Sequence, residues 1–85
     1  MPSILYGGIE YIQVRHAVFC KLCNDTVESV SVHDFKMCSC GSVGVDGGTV
    51  AGNTVIGDRT NMESRSVYCA TVAGKKVYLP EAAQR

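Results

Sequence analysis

The sequence contains no tryptophan, only two prolines and no excess of charge of either sign. Eight basic residues balance eight acidic residues, so the formal net charge is zero at pH 7. Proteins that bind nucleic acid through its phosphates usually carry an excess of Lys and Arg. Here only Lys75 and Lys76 are adjacent basic residues. The charge balance therefore counts against a nonspecific nucleic-acid binder.

Long apolar runs are absent as well. No stretch approaches the roughly 20 apolar residues that a membrane-spanning helix needs. The first residues lack the basic segment and the apolar core of a signal peptide. We therefore expect a soluble, cytoplasmic protein with no membrane partner. In that compartment clustered cysteines are more often metal ligands than disulfides.

The residues that are present favour strands. Apolar residues make up 46% of the chain, and valine is prominent among them. Residues 12–19 alternate, which predicts a strand with Ile12, Val14, His16 and Val18 on one face. Residues 57–66 have a polar composition and no such alternation, so this segment is the best candidate for a loop. Further strands are predicted over residues 26–32, 35–37, 67–72 and 75–79, and over residues 49–56 with a break at Gly52-Asn53. Residues 41–48 are predicted to be strand and turn, and a tight hairpin is predicted at Ala73-Gly74.

Four of the five cysteines form two close pairs. Cys20-x-x-Cys23 is followed by a gap of 14 residues and then by Cys38-x-Cys40. Four thiolates are a common shell for a structural zinc ion. Each pair is followed by a residue that tolerates positive φ, Asn24 or Gly41, and such a turn lets both cysteines of a pair face one metal. The pattern predicts one structural Zn²⁺ bound by Cys20, Cys23, Cys38 and Cys40.

The gap between the pairs suits a hairpin that turns at His33-Asp34. Lys21 and Lys36 lie close enough in sequence to offset part of the charge of four thiolates. Iron in the same shell is the main alternative metal. A redox-active dithiol at Cys20 and Cys23 is a weaker alternative, because no helix follows to lower a thiol pKa.

The remaining candidate residues favour ordinary structural roles. His33 with Asp34 is either a His–carboxylate pair, with His33 as a substitute ligand, or a polar turn, and we favour the turn. His16 is expected to be a partly buried strand residue, and Cys69 a small core residue. The segment Asp46-Gly47-Gly48 lacks the Lys and Ser or Thr of a phosphate-binding loop. We assign no catalytic and no cofactor-binding residue, and we predict that the protein is not an enzyme.

Residues 15–48 resemble a family of short zinc-ribbon-like proteins encoded mainly by phages and prophages. The resemblance lies in Cys20-Lys21-Leu22-Cys23, Glu28-Ser29, His33-Asp34-Phe35, Cys38-Ser39-Cys40-Gly41 and Val45-Asp46-Gly47-Gly48. It implies the zinc site and a phage origin, but no activity. Asn24 departs from the pattern, since the family usually has Gly there. Residues 49–85 also depart, because the family tends to continue into a basic segment that contains Leu and Tyr.

We therefore predict a small all-β domain over residues 1–85. It consists of zinc-ribbon-like hairpins at 12–48, a β-rich extension at 49–80 that forms a C-terminal β-meander, and a tail at 81–85. The expected function is that of a phage accessory protein that binds a host protein in the host cytoplasm, for example as an inhibitor of a bacterial defence system. The alternative is a nucleic-acid-binding ribbon in transcription or replication, which requires Arg15, Lys21, Lys36 and Lys75-Lys76 to converge. Exposed strand edges leave a homo-oligomer open.

Overall fold

The structure, a computed structural model, describes residues 2–80 and is built from antiparallel strands. A 3-10 helix at Arg59–Asn61 is the one helical element in that range. The strands are Ser3–Tyr6 (β1), Ile9–Cys20 (β2), Thr26–Ser29 (β3), Lys36–Met37 (β4), Gly44–Asp46 (β5), Thr54–Ile56 (β6), Met62–Ser64 (β7), Val67–Val72 (β8) and Lys75–Tyr78 (β9). The small all-β fold predicted from the sequence is confirmed.

The long strand β2 organises the larger sheet, because four other strands pair with it. Its first half lies between β1 and β8, and its second half lies between β3 and β7. Strand β9 pairs with β8 and forms the far edge. The second sheet is small and has the order β4-β5-β6. Strands β6, β7 and β8 of the extension thus pair with strands of residues 9–46.

A β-bulge in β2 changes which side chains share a face. The pairing with β8 shifts between Gln13 and Arg15, so one residue is left over on β2. As a result the side chains of Gln13 and His16 meet, with Gln13 Nε2 and His16 Nδ1 3.3 Å apart, although an odd spacing puts residues on opposite faces of a regular strand. The predicted single face of Ile12, Val14, His16 and Val18 is therefore wrong: Ile12 and Val14 are exposed, whereas His16 and Val18 are buried.

The core lies between the second half of β2, with β3, and the β4-β5-β6 sheet. Its buried members are Val18, Cys20, Val27, Cys38, Val43 and Val45, and Cys23 and Met62 pack against them. Three of the four predicted metal ligands are thus part of the core or in contact with it. The metal site and the apolar core of this small domain are the same region.

Other sequence-based expectations have mixed outcomes. The hairpin of β8 and β9 turns at Ala73-Gly74 as predicted, both with positive φ. Strand β1 lies in a segment with no predicted strand, and β7 lies within residues 57–66, which were expected to be loop. The predicted tail at 81–85 lies outside the described residues. Within residues 2–80, no helix has the length and apolar character needed to cross a membrane.

Candidate metal centre

The first half of the site is the turn that ends β2. Cys20 is the last residue of the strand, and its N–H donates to the carbonyl oxygen of Asp25 at 2.8 Å, which closes the turn. Asn24 has φ of 57°, the left-handed conformation predicted for it. Asn adopts this conformation more readily than most residues with a Cβ. The turn brings Cys23 back towards Cys20.

The second half of the site follows β4. The N–H of Gly41 donates to the Cys38 carbonyl oxygen at 3.0 Å, and Gly41 has φ of 74°, as predicted. The two halves are also tied together directly. The carboxylate of Asp25 accepts from the N–H of Ser39 at 3.0 Å and from its hydroxyl at 2.8 Å. Asp25 therefore links the two cysteine turns.

The four cysteine sulfurs converge. The Sγ atoms of Cys20, Cys23, Cys38 and Cys40 all lie within 4.8 Å of one another. Cys40 Sγ is 3.7 Å from Cys20 Sγ and 3.5 Å from Cys38 Sγ. Sulfurs at the corners of a tetrahedron around zinc, with Zn–S bonds of about 2.3 Å, are about 3.8 Å apart. The donor set and its spacing thus fit one tetrahedral metal ion.

Main-chain and hydroxyl donors point at the sulfurs. The N–H of Val43 lies 3.4 Å from Cys38 Sγ. Burial works to raise the pKa of Cys38, but this N–H and the neighbouring thiols outweigh it and lower the pKa to about 6. The Ser42 hydroxyl and N–H lower the pKa of Cys40. These donors stabilise thiolate charge, which is the form that binds a metal.

Cys20 behaves differently because it is the most deeply buried of the four. Burial raises the pKa of its thiol to about 11, against the main-chain N–H groups of Cys23 and Leu22. A cation that binds all four sulfurs has to displace the proton that Cys20 holds. Metal binding therefore releases protons and weakens as the pH falls.

The two lysines near the cysteines make ion pairs with carboxylates. Lys21 Nζ lies 4.0 Å from Glu63, and Lys36 Nζ lies 3.3 Å from Asp34. The sulfurs instead receive N–H groups of the turns, such as that of Val43. The pairing of Lys21 with Glu63 could not be expected from the sequence, because Glu63 is distant along the chain and its approach depends on β7.

His33 is exposed in a turn and is not among the residues whose ligand atoms cluster. Asp34 closes this turn, since its carboxylate accepts from the N–H of Val30 at 2.9 Å and its carbonyl oxygen accepts from the Ser29 hydroxyl at 2.6 Å. The favoured interpretation of His33-Asp34 as a polar turn is confirmed. The expected hairpin at this turn is wrong, because β3 pairs with β2 and β4 pairs with β5, so the turn connects the two sheets. Cys69 is half-buried in β8, apart from the other four cysteines.

A buried polar network beside the core was not found from the sequence. His16 donates through Nε2 to the Thr54 carbonyl oxygen at 2.8 Å, which leaves Nδ1 to accept from Gln13. Gln13 in turn accepts from Asn53 Nδ2 at 2.7 Å. These groups border a cleft of about 620 Å³ but satisfy one another. His16 and Thr54 are about 40 residues apart in sequence, and so are Gln13 and Asn53. No local sequence pattern therefore reveals these hydrogen bonds.

Comparison with known proteins adds one finding. A family model described as a domain of unknown function, DUF7695, matches residues 12–50. That range encloses residues 15–48 and contains all four clustered cysteines. No curated protein and no solved structure matches the chain. The similarity therefore covers most of β2 and continues to the end of β5, and stops before β6.

Proposed function

We propose that this protein is a phage-encoded accessory protein that uses an apolar turn on a zinc-braced scaffold to bind a host protein. The metal has a structural role in this proposal. Four sulfur ligands complete a tetrahedral shell, whereas a catalytic zinc keeps one position for water or substrate. Two of the ligands, Cys20 and Cys38, are buried in the core, where a bound ion is well placed to hold the two sheets together.

The observation that carries the proposal is the apolar turn between β3 and β4, which connects the two sheets. We define this apolar turn as Val30, Val32 and Phe35, which are 69%, 53% and 56% exposed. Exposed apolar side chains grouped in this way are typical of an interaction site. The turn is held rigid by the bonds to Asp34, and Ser29 also accepts from the N–H of Gly48 at 2.8 Å. A preformed apolar turn suits a protein partner, because little ordering entropy is lost on binding.

The ion pairs favour a protein partner over nucleic acid. Three of the cations that a nucleic-acid face would need already meet carboxylates: Arg15 lies 3.3 Å from Glu28, and Lys21 and Lys36 meet Glu63 and Asp34. A phosphate would have to displace these partners. The neutral net charge points in the same direction. An inhibitor of a bacterial defence system remains our most concrete version of the host-protein proposal, and it rests on the resemblance to phage proteins.

The test is an affinity capture from bacterial lysate with the wild-type protein and two variants. Phe35→Asp removes the largest apolar side chain of the apolar turn, and Val50→Asp is the matched control at an exposed valine outside it. We expect one host protein to be captured in stoichiometric amount, lost with Phe35→Asp and retained with Val50→Asp. Metal content is measured on the same preparations. Capture of nothing, or equal capture by Phe35→Asp, contradicts the proposal.

A further inference from the structure

One face of the sheet formed by β1, β2, β8 and β9 exposes apolar side chains. We define this outer face by the cross-strand row Ser3, Ile12, Cys69 and Tyr78, which the register places side by side across the four strands. Ile12 is 41% exposed and Tyr78 is 59% exposed, and Leu5 beside them is 75% exposed. A sheet normally buries its apolar face against a second layer. Here that layer has to come from outside the described chain.

The next row on the same face carries two opposite charges. Leu5 pairs with Glu10 on β1 and β2, and Thr71 pairs with Lys76 on β8 and β9. Glu10 accepts a hydrogen bond from the Ser3 hydroxyl at 3.1 Å, which confirms that both side chains lie on this face. Among residues 2–80 neither Glu10 nor Lys76 has an ion-pair partner. The outer face therefore carries one carboxylate and one ammonium group that have no ion-pair partner among residues 2–80.

We infer that the outer face binds a second copy of this chain in a twofold-symmetric dimer. A twofold axis parallel to the strands lays β1 of one copy over β9 of the other, and β2 over β8. In the first row, Tyr78 then faces Ser3 and Ile12 faces Cys69, so a large side chain meets a small one each time. Alternation of large and small residues is what lets two packed layers interdigitate.

The same symmetry operation also matches the second row. It places Lys76 of one copy over Leu5 of the other, so the lysine stem covers the apolar side chain and its ammonium reaches the neighbouring Glu10. Each row of one copy thus fits the same row of the other copy when the two are related by this axis. A twofold interface requires such self-complementarity. A different protein has no reason to match both rows, so the second copy is the occupant that the outer face fits.

The size of the outer face sets the strength of the dimer. Four strands about 4.8 Å apart, each contributing about five residues of 3.3 Å, cover roughly 300 Å² per copy. A standard stable interface buries about 800 Å² per partner. Interfaces of standard size reach Kd values of about micromolar or lower, so this smaller one is expected to be weaker, with a Kd of roughly 100 μM.

Analytical ultracentrifugation of the purified chain tests this inference independently of any host partner. We expect a monomer–dimer equilibrium for the wild type. Glu10→Lys and Lys76→Glu each bring like charges together and should raise the Kd about tenfold or more, whereas the double exchange should restore it to within about threefold. Because Glu10 and Lys76 lie on strands separated by β8, this restoration cannot arise within one copy.

A second pair of variants locates the interface. Ile12→Asp places a charge in the centre of the outer face, and Val30→Asp makes the same kind of change at an exposed valine of the apolar turn between β3 and β4. Only Ile12→Asp should abolish dimerisation, and circular dichroism should show both variants folded. A wild-type protein that stays monomeric at about 0.5 mM, well above the Kd expected for a weak interface, overturns the inference. So does a double charge exchange that dimerises no better than the single variants.

Discussion

Replacing Cys38 with serine tests whether the metal holds this fold together. Cys38 is 5% exposed and belongs to the core with Val18, Val43 and Val45. Its sulfur lies 3.5 Å from Cys40 Sγ and receives the N–H of Val43. Serine keeps a polar atom at the position but does not replace a thiolate as a zinc ligand. The variant therefore loses a quarter of the metal shell without a large change in volume.

The expected magnitude follows from a comparison of two free energies. Apparent free energies of zinc binding to small structural sites are about 10–16 kcal/mol at pH 7. The free energy of unfolding of a typical domain is about 5–15 kcal/mol. If zinc supplies most of the stability of a chain this short, loss of one ligand removes more free energy than the free energy of unfolding of the zinc-bound protein. We expect Cys38→Ser to be largely unfolded at 25 °C.

The assay combines native mass spectrometry, which counts bound zinc, with circular dichroism and urea denaturation. Cys69→Ser is the matched control, because Cys69 is half-buried and lies outside the cluster. It should retain one zinc ion and lose no more than about 1 kcal/mol. Chelation of the metal from the wild type should reproduce the unfolding seen with Cys38→Ser. A Cys38→Ser protein with a cooperative transition at the wild-type midpoint would refute the reasoning.

Three smaller perturbations test the local structure, each by urea denaturation of the zinc-loaded protein. Gly44→Ala should destabilise by about 2 kcal/mol or more, because a Cβ there meets the side chain of Met37 and the carbonyl oxygen of Lys36 at 2.8 Å; an unchanged midpoint would contradict this packing. Gln13→Leu should cost about 3 kcal/mol, since it removes one of the two acceptors of Asn53 Nδ2 and the donor to the buried His16 Nδ1; a loss below about 1 kcal/mol would mean that water replaces Gln13. Asn24→Ala should cost about 1 kcal/mol and Asn24→Gly much less, because φ is 57°; equal losses would show that the Asn side chain, and not the backbone, matters.

The metal centre was largely predictable because its determinants are local. Each cysteine pair and the residue suited to positive φ that follows it lie within a segment of at most five residues. The values of φ at Asn24 and Gly41 agree with that expectation. The link through Asp25 was not predictable, because its contact with Ser39 spans 14 residues and depends on how the two turns meet.

The interior of β2 shows where sequence patterns fail. Strict alternation assigns Ile12 and His16 to one face, but the bulge shifts the register between them. Nothing in the local residues marks the bulge, which is visible only in the pairing with β8, and the contact between Gln13 and His16 follows from it. Strand β7 was missed for a related reason. Only Met62 of its three residues is apolar, and they form a strand because β2 offers them an edge.

The pairing of one strand with four others limits how far this chain can be divided. Residues 12–50 carry the four clustered cysteines and the family similarity, but β1, β7 and β8 lie outside that range. A fragment cut to these bounds would keep the four cysteines and expose both sides of the first half of β2 and one side of its second half. The segment that carries the cysteine cluster is thus not a portable module in this protein. Anyone who grafts it onto another scaffold has to supply new neighbours for β2.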